Sequence, residues 1–225
     1  MADFDYNQDP DQDALLREVR LHADQLTASG QTVGQDDADV YGHLVRAMRQ
    51  VINGAPREAL DKAANDGSGG QVDNTQSYTE VEVPDDFSRF MLLRLESWNA
   101  DVYDLADPRS SKVQLQFNEA TRNDSYAPVA TKIPDPGGDT GEALQCWPQG
   151  EGPTLEVFAY VPEMAPEDTP DVLGDAIILW ATSYLLSSQR EDGWSVMRDA
   201  ASILLRQIKV GELMTRQEAI EQAQN

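Results

Sequence analysis

The chain has 225 residues, of which 40% are hydrophobic, and a formal net charge of −23. This length and apolar content allow one sizeable domain with its own core. The charge excludes a generally basic nucleic-acid binder, because favourable phosphate contacts need clustered Lys and Arg. The one cysteine, Cys146, excludes an internal disulfide and a cysteine-cluster metal site, and it is expected to be a small apolar residue in a strand.

The N-terminal part of the chain is expected to be helical. Residues 1–10 are acidic and predict a flexible tail. Residues 11–53 then carry apolar side chains at three- and four-residue steps, which is the spacing of one face of an α-helix. The pattern breaks once, so it predicts two helices, with Asp36 or Asp37 as the N-cap of the second. Residues 54–76 are predicted to be a linker, in which Pro56–Ala64 could add a short helix and NDGSGG is a flexible break.

The central part of the chain, residues 77–162, changes to the two-residue alternation that is typical of half-buried strands. Residues 112–120 interrupt it and predict a short helix, with Val113 and Phe117 facing inward. No internal repeat is present in the sequence. Together these patterns predict a small antiparallel sheet module whose strands lie at residues 78–83, 90–98, 128–133, 143–147 and 155–161.

The C-terminal part, residues 169–209, predicts two helices joined by a polar turn at 191–193. Thr169 is the expected N-cap of the first helix and Pro170 its first residue, because proline lacks the N–H that would be unpaired there. Residues 210–225 are polar and predict a tail. Three aromatic side chains in the hairpin could lie in the core or at an interface, and the core is the default assignment: Trp180, Tyr184 and Trp194.

Burial of these apolar faces determines the expected architecture. The N-terminal helix pair can cover its apolar stripe by packing against the C-terminal hairpin. The sequence therefore predicts an α+β fold, a helical bundle formed by the two helix pairs with an inserted antiparallel β module. One domain covers residues 11–209, and the two tails flank it.

No arrangement of residues in the sequence indicates catalysis. His22 and His43 lie on different predicted helices, and no third ligand or orienting carboxylate can be assigned to either. The sequence has no Walker, G-x-S-x-G or C-x-x-C motif. We therefore predict no catalytic residue, no metal and no cofactor. The enzyme alternative is a small hydrolase that uses an unrecognised carboxylate pair.

Three charged stretches have both a structural and a functional interpretation. The acidic residues 36–39 could hold Ca²⁺, but capping of the second helix explains them more simply. Residues 65–74 offer oxygen ligands and glycines, but they lack the EF-hand spacing. Four arginines at helical spacing could face an acidic partner, although surface ion pairs are the simpler explanation: Arg17, Arg20, Arg46 and Arg49.

A series of short motifs carries a family resemblance. It begins with VPDDFSR at residues 83–89, which is followed by a strand that ends at Trp98. The sequences LQFNEATRNDSYAPVA (115–130) and LEVFAYVP (155–162) come next, and the helical hairpin follows. This order resembles the ring or head-completion proteins of tailed phages, most closely the portal-proximal ring protein of crAss-like phages. The resemblance covers residues 77–209.

The resemblance implies a structural protein of the virion without catalysis or a membrane. It implies a homo-oligomeric ring, usually twelve-fold, that sits on the portal protein, is continued by downstream tail or neck proteins and lets genomic DNA pass through its lumen. Such a subunit is assembled in the host cytoplasm and located at the head–tail interface. An acidic lumen suits this role, because it repels phosphate at close range.

One partner interface is expected in the C-terminal tail, where sparse apolar residues stand in a polar segment. Leu213, Met214 and Ile220 would anchor this tail on the portal or on a neighbouring subunit. Two alternative functions stay open. One is another minor capsid, neck or tail-completion protein, and the other is an acidic DNA mimic that occupies the basic site of a DNA-handling enzyme.

Overall fold

The computed structural model describes residues 10–26, 36–60, 64–67, 72–74, 77–134, 141–149, 154–210 and 216–224. It contains helices and small antiparallel sheets, which confirms the predicted α+β class. The chain forms two compact units. Met1–Lys62 together with Met164–Asn225 make a helical unit, and Ala63–Glu163 make a sheet unit.

The described elements follow the predicted order of helices, sheet and helices. Two short 3₁₀ turns accompany them, at Leu115–Phe117 and Pro166–Asp168. In chain order the helices and strands are α1 (Pro10–Leu26), α2 (Asp37–Gly54), α3 (Arg57–Leu60), β1 (Asn65–Asp66), β2 (Val72–Asn74), β3 (Thr79–Glu82), β4 (Phe87–Leu95), α4 (Ser111–Gln114), β5 (Val129–Pro134), β6 (Glu142–Trp147), β7 (Leu155–Pro162), α5 (Asp171–Gln189), α6 (Trp194–Val210) and α7 (Arg216–Gln224).

Helix α5 is the centre of the helical unit. It packs against α1, α2, α6 and α7, so the N-terminal helices cover the C-terminal hairpin as the sequence predicts. Ten of its 19 residues are buried, and they lie on most sides of the helix, as expected for a helix surrounded by others. Even so, within the described part of the chain no helix has both the length and the apolar composition needed to span a bilayer.

The starts of two helices can be compared with their predicted caps. The carboxylate of Asp36 accepts a hydrogen bond from the Asp39 N–H at 2.9 Å, which confirms Asp36 as the N-cap of α2. In α5 the boundary is one residue later than predicted, since Pro170 is the N-cap residue. The Thr169 hydroxyl instead donates to the Ala165 carbonyl at 3.4 Å, in the preceding 3₁₀ turn.

The end of α5 uses a left-handed residue. Arg190 has φ 61° and ψ 31°, a conformation that glycine adopts at much lower cost. Its N–H donates to the Ser187 carbonyl at 3.2 Å, and the Glu191 N–H donates to the Leu186 carbonyl at 3.0 Å. These two bonds satisfy carbonyls that the end of the helix leaves without partners. The chain reversal therefore begins at Arg190, just before the predicted turn.

The sheet unit contains two antiparallel sheets. Their strand orders are β1-β7-β4 and β2-β3-β6-β5. Phe90 of β4 lies opposite Tyr160 of β7, and Val81 of β3 lies opposite Leu144 of β6. Residues of both sheets belong to one buried apolar cluster, which also includes Trp98. The five strands predicted from alternation therefore exist, although β4 begins earlier and ends earlier than expected.

Two strands and a short helix lie inside the segment that the sequence predicts as a linker, residues 54–76. These are α3, β1 and β2. The N–H of Gly67 donates to the Phe158 carbonyl at 2.7 Å. A Cβ atom at this position would lie 2.7 Å from Cδ1 of the buried Phe158 ring, so a side chain there would have to displace the ring. The glycine is therefore required by a close approach to β7 and is not a sign of a loose linker.

The predicted C-terminal tail contains the helix α7. Ala219 is fully buried, and Ile220 is 8% exposed. The helix packs against α6 and α5, so this part of the segment belongs to the helical unit. The polar composition of 210–225 conceals it, because only a few apolar residues are needed to cover one face of a nine-residue helix.

Candidate interaction surface

The long connection between β4 and β5, residues 96–128, carries most of the exposed apolar groups. Seven large hydrophobic side chains are exposed among the described residues, and four of them lie here. Grouped apolar side chains on a protein surface mark interaction sites more often than scattered ones. The four residues and their exposed fractions are Tyr103 (51%), Leu115 (49%), Phe117 (54%) and Tyr126 (73%).

The 96–128 connection is bonded to the rest of the sheet unit at several points, including Trp98 and Ala106. Trp98 is 1% exposed, and its indole N–H donates to the Pro148 carbonyl at 2.9 Å. Further along, the Ala106 N–H donates to the Ala130 carbonyl at 2.8 Å. These contacts hold the first ten residues of the connection against the sheets.

The short helix α4 and the 3₁₀ turn that follows it determine which side chains face inward. Val113 is buried, as predicted, but Phe117 is exposed, so the predicted inward position of Phe117 is wrong. A 3₁₀ turn has three residues per turn, and side chains three apart lie above one another. Gln116, three residues after Val113, therefore takes the inward position that an α-helix would have given to Phe117, and it is 1% exposed.

The buried Gln116 connects three parts of this turn. Its side-chain N–H donates to the Lys112 carbonyl at 2.9 Å, and its side-chain oxygen accepts from the Asn123 N–H at 3.0 Å. Its backbone carbonyl accepts from Nε of Arg122 at 2.9 Å. A buried amide with all of these partners stabilises one backbone conformation, because losing any of them would leave a buried polar group without a partner.

Three further turns in the 96–128 connection are also held by bonds between a polar side chain and the backbone. In each, an Asp or Asn carboxylate or amide oxygen accepts from the backbone N–H two residues later, which mimics a backbone turn. Such local bonds fix the backbone in addition to any apolar contacts beneath it. The three pairs are Asp107 with Arg109 N (2.7 Å), Asn118 with Ala120 N (3.0 Å) and Asp124 with Tyr126 N (3.0 Å).

Phe117 is held from below by an aromatic contact. Its ring meets that of the fully buried Trp147 edge to face, with ring centroids 5.4 Å apart and an interplanar angle of 73°. Trp147 in turn packs with Val113 and Val129. Such a pair adds about 0.5–1.5 kcal/mol beyond the area that it buries. Phe117 is therefore both exposed and fixed in position.

The middle of the connection differs in charge from the rest of the chain. Residues 108–122, which we name the 108–122 segment, contain three basic residues and one acidic residue, a net charge of +2. The chain as a whole carries −23, so all remaining residues together carry −25. Arg109 and Lys112 are exposed, and neither forms an ion pair with any residue in the described ranges. The third basic residue, Arg122, bonds within the segment itself.

The sequence predicts a partner interface at three residues of the C-terminal tail, and the structure describes one of them. Leu213 and Met214 lie outside the described residues, and Ile220 is buried in α7. The helix is also held by Arg216. Its guanidinium bonds to Glu18 of α1 at 2.8 Å and to Asp175 of α5 at 2.8 Å. Contacts across 198 residues of sequence thus hold the start of α7.

The two histidines lie at the edges of the helical unit. Nε2 of His22 is 3.0 Å from Nη1 of Arg216, and burial followed by this positive charge lowers its pKa. Burial, and to a smaller extent the charge of Arg46, lowers the pKa of His43. Both histidines therefore favour the neutral form. Within the described ranges, no three His, Cys, Asp or Glu side chains are arranged to hold a metal ion.

The aromatic residues of the hairpin divide into two groups. Trp180 and Tyr184 are half-buried, and their ring centroids lie 5.9 Å apart. The guanidinium of Arg46 lies 4.4 Å from the Tyr184 ring centroid, so this arginine stacks within its own unit. Trp194 is 38% exposed and contacts Arg198, so its assignment to the core is wrong.

Several other residues that the sequence singles out have structural roles in the described part of the chain. Arg20 forms an ion pair with Asp37, which places one of the acidic residues 36–39 at a helix contact and Asp36 at a cap. Cys146 is fully buried in β6, as expected, and burial raises the pKa of its thiol. Each of these groups has a partner or an apolar environment inside the subunit.

No protein-family model and no curated protein matches the chain. The functional assignment therefore depends on residues and geometry. The 96–128 connection carries both exposed apolar groups and exposed basic residues, on a backbone held by local hydrogen bonds, and it is the candidate binding surface. The sequence signal for it is the alternation of aromatic residues with turn formers in LQFNEATRNDSYAPVA (115–130), which a search for catalytic motifs does not detect.

Proposed function

We propose that the chain is a structural virion protein, a head–tail connector subunit that forms a ring between the portal and the tail and lines part of the DNA conduit. The observation that carries this proposal is the 96–128 connection, which presents four large apolar side chains on a fixed backbone. A surface that is already ordered loses little conformational entropy on binding, which favours assembly. An assembling subunit needs such a surface.

The acidity of the chain supports the same role. A conduit must let DNA pass without retaining it, and a net charge of −23 repels the phosphate backbone. Screening by salt limits this repulsion to about 8–10 Å at physiological ionic strength, which is still the range that matters for DNA close to the wall of a lumen.

The family resemblance supports the proposal independently of charge. The pattern at 115–130 coincides with the second half of the 96–128 connection, where three of its exposed apolar residues lie. The α+β architecture, with a sheet unit inserted between helix pairs, also agrees with that resemblance.

Native mass spectrometry and negative-stain imaging of the full chain would test the proposal. The chain is examined alone and with the portal protein of the same genome, and an unrelated portal serves as the control. We expect closed rings seated on the cognate portal and none on the control. A chain that stays monomeric in the presence of its portal would overturn the proposal.

The high negative charge favours a second candidate, an acidic DNA mimic. A mimic would bind a DNA-handling enzyme as a monomer or dimer, would be displaced by duplex DNA, and would lose affinity steeply with salt. The same native mass measurements separate the two functions. Rings on a portal support the connector, whereas one-to-one complexes that duplex DNA dissolves support the mimic.

A further inference from the structure

We propose that the 108–122 segment is one half of a contact between copies of this chain, in which it docks on an acidic surface of a second copy. The inference rests on the proposed ring assembly and specifies where one subunit meets the next. Leu115 and Phe117 supply the apolar part of the contact, and Arg109 and Lys112 supply the positive charge.

Charge complementarity indicates that the partner of the 108–122 segment is a second copy of the chain. The segment carries +2, whereas the rest of the chain carries −25, so the remaining surface of any second copy is strongly acidic. Two copies repel each other overall, because each carries −23. A contact between them is favoured where a local positive site meets that acidic surface, since opposite charges about 4 Å apart attract even near water.

The apolar residues of the segment suit the centre of such a contact. Leu115 and Phe117 are 49% and 54% exposed, so each has about half of its surface available for burial. Phenylalanine is enriched at the centres of protein interfaces, and charged residues are more frequent at the rim. Gln116 lies between the two and fixes the turn, which means that the apolar groups are positioned before the partner arrives.

The sign of the charge limits how the segment can be placed in the contact. A two-fold axis through the segment itself would set +2 against +2, so the segment must meet a different, acidic surface of the neighbour. A head-to-tail contact of this kind generates a ring when the rotation closes. The proposed connector requires that closed arrangement.

Sedimentation velocity and native mass spectrometry of the full chain, alone and on the cognate portal, test this inference with two matched pairs of variants. Leu115→Ser is compared with Leu21→Ser, which changes a leucine of similar exposure (54%) on α1. Lys112→Glu is compared with Arg206→Glu, which changes the net charge equally at an exposed position of α6. Thermal unfolding of all four variants tests whether they remain folded.

We expect Leu115→Ser and Lys112→Glu each to raise the dissociation constant of self-association about tenfold or more, and the controls to change it less than about threefold. Equal effects of test and control variants would overturn the inference, while wild-type rings on the portal would still support the proposed function. Loss of portal binding with unchanged self-association would assign the segment to the portal and would also overturn it.

The opposite combination, a contact between copies without the connector function, gives a different set of results. Concentration-dependent association that the two test variants weaken, without any ring on the portal, would support the contact and overturn the connector function. A wild-type chain that stays monomeric at all concentrations, with and without the portal, would overturn both.

Discussion

Helix α5 and the 96–128 connection are both well-defined parts of this chain, but they are stabilised in opposite ways. In α5, ten of 19 residues are buried, and neighbouring helices cover them. In the connection, Trp98 and Val113 are buried, but four large apolar side chains are exposed, and side-chain to backbone hydrogen bonds add to the fixing of the chain. The comparison shows that a rigid segment does not need to hide its apolar residues when polar groups satisfy its backbone.

The difference has a functional meaning. Apolar residues that stabilise a helix bundle cannot also bind a partner, because their surface is already used. Residues such as Leu115 and Phe117, which the polar framework around Gln116 holds in place, keep about half of their surface available. Four changes test this comparison, from the largest expected effect to the smallest.

Truncating the centre of α5 should have the largest effect on stability. Leu179 is fully buried, so Leu179→Ala removes apolar contacts and leaves a cavity, at a cost of about 2–5 kcal/mol in the free energy of unfolding. Urea denaturation of the full chain measures the loss. Val172→Ala, on the same helix but 41% exposed, is the control and should cost less than about 1 kcal/mol. Equal losses would mean that α5 is not the packing centre.

Removing the polar support of the connection should have an intermediate effect. Gln116→Leu leaves the Asn123 N–H and the Lys112 carbonyl without their present partner, at a cost of about 1–3 kcal/mol. Hydrogen exchange at the Asn123 amide should accelerate, whereas amides within α5 should keep their rates. Glu119→Ala, exposed in the same turn, is the control. Unchanged exchange at Asn123 would show that Gln116 does not hold the segment.

Replacing the left-handed residue at the end of α5 with glycine should stabilise the protein slightly, whereas the two changes above destabilise it. Arg190→Gly removes the cost of φ 61° for a residue with a Cβ, and we expect about 0.5–1 kcal/mol of added stability. Ser187→Gly, exposed in the last turn of the same helix, should instead destabilise by up to about 1 kcal/mol. A loss of thermal stability in Arg190→Gly would contradict the assignment of strain to this residue.

The smallest expected effect is a loss of folding stability at acidic pH, and it is confined to the helical unit. Both histidines of the chain lie on α1 and α2, and burial lowers the pKa of each below 6.5 in the folded state. The unfolded chain thus binds more protons between that lowered pKa and 6.5. Stability that is present above pH 6.5 is lost as the pH falls from 6.5 through the lowered pKa values.

Three charged groups near His22 set its response: Arg216 opposes its protonation, and Glu18 and Asp175 favour it. Near His43, Asp39 favours protonation and Arg46 opposes it. A His22→Gln, His43→Gln double variant should flatten the stability profile between pH 7 and 5. Intrinsic fluorescence and hydrogen exchange measured in parallel should place the acid effect in the helical unit. An equal effect in the 96–128 connection, which contains no histidine, would contradict this assignment.

The sequence predicts the elements whose signals are local. Helix α2 has a regular apolar stripe and a capping Asp36, and β3 alternates clearly, so both are found close to their predicted positions. Strand β1 and helix α7 are missed because distant residues stabilise them. Asn65 pairs with Tyr160, and Arg216 bonds to Glu18 across almost the whole chain. The sequence around β1 and α7 does not indicate these distant partners.

The candidate surface shows the same limit at the scale of one turn. The spacing of Val113 and Phe117 predicts that both face inward, and a continuous α-helix would place them so. The helix tightens after Gln114, however, and Gln116 takes the buried place with partners at Lys112 and Asn123. Exposure of Phe117 follows from a change of helical pitch that residue type alone does not specify.

The division of the chain into two units also determines the order in which they can fold during synthesis. The sheet unit is one continuous stretch, Ala63–Glu163, whereas the helical unit needs both Met1–Lys62 and Met164–Asn225. Ribosomes release a chain from its N-terminus, so the sheet unit is complete before α5 is made. Until then the apolar stripes of α1 and α2 lack the helix that covers them in the folded unit. These stripes are therefore the apolar surface of the helical unit that waits longest for its cover during synthesis.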